Sequence, residues 1–362
     1  MNPFYYQELF SGAMALLALI FGVTRVISPD NHYQQKGSHL FWPLLLCIGL
    51  SVWIGFRPVS AAFGDTVNYA AEYSNLDPRH ISMDWSGEWI WQWLMNGCKA
   101  AGLSVHVFFT IVAVGYVLAA FWAVYRFMPK DPMLGVVFLL NSLMFFPFAV
   151  NGLRNGLACH LVLLAASFLL DDKWVTGSLL CLVALGFHRS VILPIAAIFV
   201  GIFLLRNVKV IILFWLSTIL VSLLAGDVFS SLLAGLGFDD RMSQYVSISD
   251  YSEFSRTGFR WDFLLYSAAP VVMAWYVCIK KNLQDNWYNV ICTVYCLCNA
   301  FWVLVIRSAF SNRFAYLSWF LYPIVIAYPL VNMPIRDDQD RFTGWVLMAY
   351  GAFSAFMWFI FW

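Results

Sequence analysis

Two apolar runs joined by a short polar turn constrain this chain more than any other feature. The first run begins at Arg154 and ends at Asp171, and the second leads from Lys173 to His188. As helices of roughly 15–17 residues, the two runs would each be about 22–26 Å long, which is a short membrane span. Because the turn makes the helices antiparallel, we predict that Arg154 returns to the same end of the hairpin as His188 and Arg189.

The apolar character continues beyond the hairpin and predicts a break in the helix. Residues 174–205 are apolar except for His188, Arg189 and Ser190. A single helix of that length would measure about 48 Å, more than a hydrocarbon core of about 30 Å. We therefore predict two short spans that meet at these three residues, with Pro194 in the first turn of the second. Charge at that depth indicates a recessed site, and the alternative is an ordinary tight surface turn.

The composition places the whole chain in a bilayer. Hydrophobic residues make up 62% of the sequence, charged residues 11%, and the mean hydropathy is +0.74. These values predict a polytopic membrane protein. The apolar runs along the chain predict that residues 1–362 form one all-α transmembrane domain of about twelve helices, with one helix over residues 133–149. The net charge of +1 carries no information about nucleic acid, and the sequence has no basic tail or run, so no nucleic-acid partner is expected. The cysteines lie mostly in apolar runs without metal-ligand spacing, so we expect core packing and no disulfide.

Two long polar segments interrupt the spans, over residues 57–103 and 227–262. The first ends in a tryptophan-rich run that includes Glu88, which predicts a helix in the membrane interface, with sugar stacking as the alternative. Lysines mark the short loops on the opposite side, so that side is predicted to be cytoplasmic and both long loops extracytoplasmic. The lysines that define this orientation include Lys130, Lys173 and Lys280.

Basic residues of the predicted outer face are nearly all arginines, and this indicates an anionic ligand. The planar guanidinium binds phosphate through two parallel hydrogen bonds, whereas lysine acts mainly as a hydrated point charge. The basic residues on this face are Arg57, Arg79, Lys99, Arg154, Arg189, Arg241, Arg256, Arg260, Arg307 and Arg313. The alternative is that some of them pair with acids of the second loop, namely Asp239, Asp240, Glu253 and Asp262.

Five motifs in chain order resemble those of the EpsG family of exopolysaccharide and capsule polymerases, a branch of the Wzy-type polymerases. They are Asp65-x-x-Asn68-Tyr69-x-x-x-Tyr73, Arg154-Asn155-Gly156-Leu157-Ala158, Phe187-His188-Arg189-Ser190 with Pro194, Gly258-Phe259-Arg260-Trp261-Asp262, and Asn312-Arg313-Phe314-Ala315-Tyr316. One departure is Asn155, where the family is expected often to carry glutamine. The spacing of the first motif puts its polar residues on one face if the segment is helical.

The resemblance implies an enzyme that joins oligosaccharide repeat units carried on undecaprenyl pyrophosphate. The reaction would take place at the outer face of the bacterial plasma (inner) membrane and yield capsule, exopolysaccharide or O-antigen. The implied fold is similar to that of the GT-C lipid-dependent glycosyltransferases. Expected partners are the lipid-linked oligosaccharides and the bilayer, with chain-length regulator and flippase proteins as further candidates. No cofactor is expected. Apart from Asp239-Asp240, the outer loops show no acidic ligand set typical of a divalent metal, so the enzyme is predicted to be metal-independent.

The candidate residues fit this chemistry. A leaving pyrophosphate needs fixed cations, and the candidates are Arg154, Arg189, Arg260, Arg313 and Arg307. The acceptor hydroxyl needs a base, and His188 and Asp65 are the two candidates. Histidine has an unperturbed pKa of about 6.5, which favours His188 as the base. Asp65 would then orient the acceptor, and it is also the alternative base. The candidate sugar-binding residues are Asn68, Tyr69, Tyr73 and Asn312.

Two other functions fit the same sequence. A transporter or flippase for lipid-linked glycans would also use an arginine-lined cavity, but it would need charge across both halves of the membrane. Here the charge is concentrated at the outer helix ends, which favours a one-sided enzyme. A glycan ligase or a single-sugar glycosyltransferase of the outer face uses the same carrier, so the sequence alone separates these enzymes poorly.

Overall fold

The computed structural model describes residues 2–29, 40–77, 85, 87–234, 258–308 and 311–361. Most of the predicted second loop lies outside these residues, including Arg241 and Arg256 and the acids Asp239, Asp240 and Glu253. Arg79 also lies outside them. The described part of the chain is helical and contains no strand.

The helices follow one another along the chain with short connections. In chain order they are α1 (Tyr6–Ile27), α2 (Phe41–Gly55), α3 (Thr66–Asn75), α4 (Trp89–Ala100), α5 (Val105–Phe127), α6 (Pro132–Leu140), α7 (Phe145–Val150), α8 (Leu153–Leu169), α9 (Trp174–Phe187), α10 (Ile192–Phe203), α11 (Val208–Ala234), α12 (Trp261–Ala274), α13 (Asn286–Leu304), α14 (Asn312–Trp319), α15 (Tyr322–Asn332) and α16 (Gln339–Phe361). Short 3₁₀ helices cover Pro3–Tyr5, Ala61–Phe63 and Arg189–Val191, and a π-helix continues α12 over Trp275–Lys280.

The predicted all-α multi-pass membrane protein is confirmed. Within the described residues, seven helices are long and apolar enough to cross a membrane, and four more apolar helices are shorter. The four are Phe41–Gly55, Leu153–Leu169, Trp174–Phe187 and Arg189–Phe203. The count of about twelve spans and the GT-C-like fold stay predictions.

Two predicted boundaries differ from the structure. The span predicted over residues 133–149 is two short helices, α6 and α7, because the chain turns at Asn141, whose side-chain Nδ2 donates 2.9 Å to the Val137 carbonyl. Helix α11 runs through Ala234, so the first residues of the predicted loop 227–262 are helical, after a non-helical residue at Ala225. That segment carries a single charge, and its apolar residues allow the helix to continue.

The chain forms two compact units, Met1–His188 with Leu330–Trp362, and Arg189–Pro329. In the first unit, α5 packs against α2, α6 and α8, while α8 packs against α9 and α1 packs against α16. Helix α5 has no strongly polar face, as expected of a helix that spans a membrane. Arg25 at the end of α1 is buried and forms ion pairs with Asp131 and with Asp340 of α16, the latter at 3.1 Å. Each charge therefore has a partner in the low-dielectric interior.

The second unit has a buried polar network centred on Asn299 of α13. Its Oδ1 accepts a hydrogen bond of 2.8 Å from Trp215 Nε1 on α11. Its Nδ2 donates to Ser267 Oγ on α12 at 3.1 Å and to Ser318 Oγ on α14 at 2.9 Å. In a lipid bilayer the hydrophobic effect does not drive helices together, and hydrogen bonds between polar side chains of different helices stabilise their packing. This network therefore links four helices.

Arg57 ties the first loop to the helices of the first unit. The side chain is fully buried, and its guanidinium donates to the carbonyls of Ile54 at 3.0 Å and Val150 at 3.3 Å, near the ends of α2 and α7. It also donates to Thr66 Oγ1 at 2.9 Å and lies 4.5 Å from the Phe109 ring centroid. Burial lowers the pKa of Arg57 to about 10, so the side chain stays charged at neutral pH.

Replacing Arg57 with methionine should destabilise the first unit. The change keeps the length of the side chain but removes the guanidinium hydrogen bonds to the Ile54 and Val150 carbonyls and to Thr66 Oγ1. The loss of each buried hydrogen bond typically costs about 0.5–1.5 kcal/mol, and more where the donor is charged. We expect a clear fall in the apparent melting temperature of the detergent-purified protein. The control is Lys173→Met, at an exposed turn, which should melt like the parent. Equal apparent melting temperatures of the two variants would contradict the structural role of Arg57.

Candidate active site

The hairpin of α8 and α9 places two of the predicted residues at one end. Arg154 lies in the first turn of α8, and His188 follows the last residue of α9. The turn between the helices contains Asp172, which adopts a positive φ of 57°. The predicted hairpin is therefore present.

The predicted break after α9 is also present. His188 has an extended backbone with φ −158° and ψ 124°, and a 3₁₀ turn over Arg189–Val191 separates it from α10. Pro194 is the third residue of α10, where the missing N–H interrupts no hydrogen bond within the helix. The extended residue turns the His188 side chain away from the helical path of α9.

Glu88, which the sequence did not single out, connects Arg154 and His188. Its Oε2 forms an ion pair with the NH1 group of Arg154, and its Oε1 contacts Nδ1 of His188. The three side chains are 16%, 26% and 21% exposed for Glu88, Arg154 and His188, so the cluster is largely shielded from water but open to a ligand. One carboxylate thus holds a guanidinium and an imidazole side by side.

The position of Glu88 depends on close packing of α4 against α9. Glu88 is the N-cap residue of α4, and the two helices pack near the end of α9. A Cβ added at Gly186 would lie 2.5 Å from Ile90 Cγ1, so a larger residue there would force the Ile90 side chain to shift. The sequence signal that could have identified Glu88 is that it is the one acidic residue in the tryptophan-rich run from Trp85 to Trp93.

The charges of this cluster keep Glu88 ionised. Burial by itself raises the pKa of the Glu88 carboxyl, but the hydrogen bonds and charges of His188 and Arg154 outweigh burial and hold the pKa below its usual value. Tyr69 lies under the same arginine, with the Arg154 Cζ atom 5.6 Å from its ring centroid. Burial raises the pKa of the Tyr69 phenol, and the Arg154 charge opposes that rise.

The first-loop candidates lie on or next to α3, so the segment is helical and the condition for a shared face is met. The backbone N–H of Asp65 donates 2.8 Å to Asn151 Oδ1, three residues before Arg154. Gly64 permits this contact because its φ is +56° and a Cβ there would lie 2.5 Å from Asn151 Oδ1. Asn68 Nδ2 donates 3.1 Å to Asp65 Oδ1 at an exposed position. The loop therefore meets the α7–α8 corner beside Arg154.

The two tyrosines of the motif face inward. Tyr69 is 6% exposed and contacts the Trp91 ring edge-on at 5.3 Å between centroids. Tyr73 is 3% exposed, its hydroxyl donates 2.7 Å to the Leu103 carbonyl, and its ring stacks on Phe108 at 5.1 Å. Tyr73 thus packs in the core of the unit, and a role in sugar binding for either tyrosine stays a prediction.

The remaining arginine candidates belong to the second unit. Arg189 is exposed in the 3₁₀ turn. Arg260 forms a two-pronged ion pair with Asp262, at 2.9 Å from Nε to Oδ1 and 2.6 Å from NH2 to Oδ2, and lies 3.7 Å from the Phe263 ring centroid. The sequence had named Asp262 as an alternative partner for these arginines, and the structure shows that pair.

Arg307, Asn312 and Arg313 lie near one another in the sequence of the same unit. The NH2 group of Arg307 donates 3.4 Å to the Leu223 carbonyl, and Arg313 and Asn312 lie in the first turn of α14. Their roles toward pyrophosphate and sugar stay predictions, as does that of Arg189. Among the described residues, no three His, Cys, Asp or Glu side chains form a group that could hold a metal ion.

The fold and the cluster define a multi-pass membrane protein with a shielded cation–carboxylate–imidazole site. The sequence matches the EpsG family over residues 40–361, nearly the whole chain, and the protein belongs to this family of Wzy-type polymerases. No curated protein and no solved structure matches the chain. The predicted family is therefore confirmed, and family membership agrees with a polysaccharide polymerase.

Proposed function

We propose that the protein joins oligosaccharide repeat units carried on polyprenyl pyrophosphate, undecaprenyl pyrophosphate in bacteria, into a surface polysaccharide. The observation that supports this proposal most directly is the contact of both Arg154 and His188 with Glu88. A fixed cation beside an imidazole suits a transfer in which negative charge grows on a leaving phosphate while a proton leaves the acceptor.

The proposed step is a glycosyl transfer. The acceptor hydroxyl oxygen attacks the anomeric carbon of the donor sugar, and its proton passes to Nε2 of His188. The bond from the anomeric carbon to the phosphate oxygen breaks, and its electron pair leaves with the lipid pyrophosphate. Arg154 stabilises the charge on that leaving group. Asp65, held at the same corner, orients the acceptor hydroxyl.

The proposed site faces the outside of the plasma membrane. The lysines of the short loops motivate this orientation, since cytoplasmic loops carry an excess of basic residues. A single cysteine introduced as Lys173→Cys in a cysteine-free background should resist an impermeant reagent applied from outside. Labelling of that cysteine would contradict the orientation.

Glycan analysis of a deletion strain tests the function. Loss of the gene should leave one complete repeat unit on the lipid carrier and no polymer at the surface. A truncated repeat would instead indicate a single-sugar transferase. Complete polymer retained on the carrier would indicate a ligase, and repeat units confined to the inner leaflet would indicate a transporter.

A further inference from the structure

The two oxygens of Glu88 serve two different partners. Oε2 pairs with the NH1 group of Arg154, and Oε1 contacts Nδ1 of His188. An ionised carboxylate can only accept hydrogen bonds, so Nδ1 of His188 must carry a proton. In the neutral imidazole the other nitrogen, Nε2, then holds the lone pair. The contact with Glu88 therefore selects the nitrogen that can act as a base.

Other charged groups surround this pair. Arg154 contacts Glu88 from α8, and the ring of Tyr69 on α3 lies 5.6 Å from the Arg154 Cζ atom. The acids Asp65 and Glu72 also act electrostatically on this group, Asp65 on Tyr69 and Glu72 on Arg154. Glu88 differs from both of these acids because its carboxylate touches the imidazole directly.

We propose that Glu88 is a positioning residue for the glycosyl transfer, which orients His188 with Nε2 as the basic atom and holds Arg154 next to it. This proposal rests on the proposed polymerase function. In the transfer, the acceptor O–H bond breaks and an N–H bond forms at Nε2, and the imidazolium that results lies against the Glu88 carboxylate. The carboxylate stabilises this charge as it develops, and Glu88 stays ionised throughout the transfer.

Glutamine at position 88 is the sharpest test, because it has nearly the same shape but only one acceptor. If its oxygen accepts from His188, its NH₂ group faces the donor groups of Arg154. If its oxygen accepts from Arg154, its NH₂ group faces Nδ1 and favours the tautomer with the proton on Nε2. Glu88→Gln can therefore satisfy one partner and not both.

The test uses the full-length protein in lipid nanodiscs with a defined polyprenyl-pyrophosphate-linked repeat unit. We expect Glu88→Gln to lower kcat about 100-fold, the scale of a positioned proton transfer, with a smaller change in KM. We also expect the acidic limb of the pH–rate profile to move to lower pH, because a nearby anion favours the protonated imidazole and its removal disfavours it. A purely structural role would change the amount of folded enzyme but not this profile.

A double variant separates the two effects further. In the His188→Ala background, the single oxygen of Glu88→Gln is free to serve Arg154. The second change should then cost much less than it does in the parent, because residues that act as a unit are not additive. Full additivity of the two losses would overturn the proposed action of Glu88 through His188.

Glu72→Gln is the matched control, since Glu72 is exposed on α3 and acts on the same arginine without contacting His188. It should keep the parental profile and a rate within about twofold of the parent. If Glu88→Gln does not fold, Glu88→Asp keeps the charge but is too short to reach both partners, and an intermediate loss of kcat is expected. A folded Glu88→Gln enzyme with the parental rate and profile would overturn the proposal. A parent protein that forms no polymer would overturn the proposed function instead, and this role with it.

Discussion

Replacing Arg154 with lysine should reduce polymer formation by about two to three orders of magnitude, although the charge is conserved. Loss of one donor to a developing anion commonly costs about 3–4 kcal/mol in transition-state free energy. A guanidinium has five N–H donors in a planar fork, so it can hold Glu88 through one nitrogen and a phosphate through another. A lysine ammonium is a compact point charge and cannot span both partners in the same geometry.

The measurement is the rate of chain extension on a defined lipid-linked repeat unit, together with the amount of folded protein. Arg336→Lys is a matched control, because Arg336 is exposed and its ion pair is with Asp338, two residues along the chain. We expect the control to extend chains at the parental rate. The same substitution at Arg189 and Arg313 tests the other pyrophosphate predictions. Parental polymer length and amount from well-expressed lysine variants at all three positions would refute the pyrophosphate assignment.

Replacing His188 with alanine should lower the rate of turnover about 10²–10⁴-fold while donor binding is retained. A positioned general base contributes about 10²–10⁴-fold, and Arg154 remains in place to bind the pyrophosphate. The measurements are single-turnover chain extension and binding of the lipid-linked donor to the same preparation. The control is His106→Ala on α5, a partly buried histidine outside the cluster. It should keep both the rate and the affinity of the parent.

The outcome at Asp65 decides between the two candidate bases. With His188 as base, Asp65→Asn should weaken turnover less, since an amide can still bond an acceptor hydroxyl. If His188→Ala extends chains at the parental rate and Asp65→Asn alone abolishes turnover, the two roles must be exchanged. Both side chains lie in the first unit, and Asp65 is anchored by Asn151 close to Arg154 in the sequence.

Local sequence rules predicted the elements that carry the site. The lengths of the apolar runs and the charges at their ends predicted the hairpin of α8 and α9, because helix rise and bilayer thickness leave few alternatives. The polar triplet from His188 to Ser190 predicted the break before α10. These features depend on residues that are close in the chain.

Features that depend on contacts between distant segments were not predictable in this way. The spacing of Asp65, Asn68, Tyr69 and Tyr73 predicted one polar face, yet both tyrosines point into the core because Trp91 and Phe108 pack against them. The depth to which one face of a helix is buried cannot be read from that segment alone.

The sequence by itself determined that this chain is a multi-pass helical membrane protein of the EpsG family, and that Arg154 and His188 share one end of a hairpin. Hydrophobic length and short-range spacing were sufficient for the fold class and the hairpin, whereas five motifs in chain order carried the resemblance to the family. The tertiary structure alone decided that Glu88 joins the two. That carboxylate is about 66 residues before Arg154 and about 100 before His188, and only the packing of α4 against Gly186 brings it to them. A contact of this kind depends on how the helices pack, which periodicity within a segment does not encode.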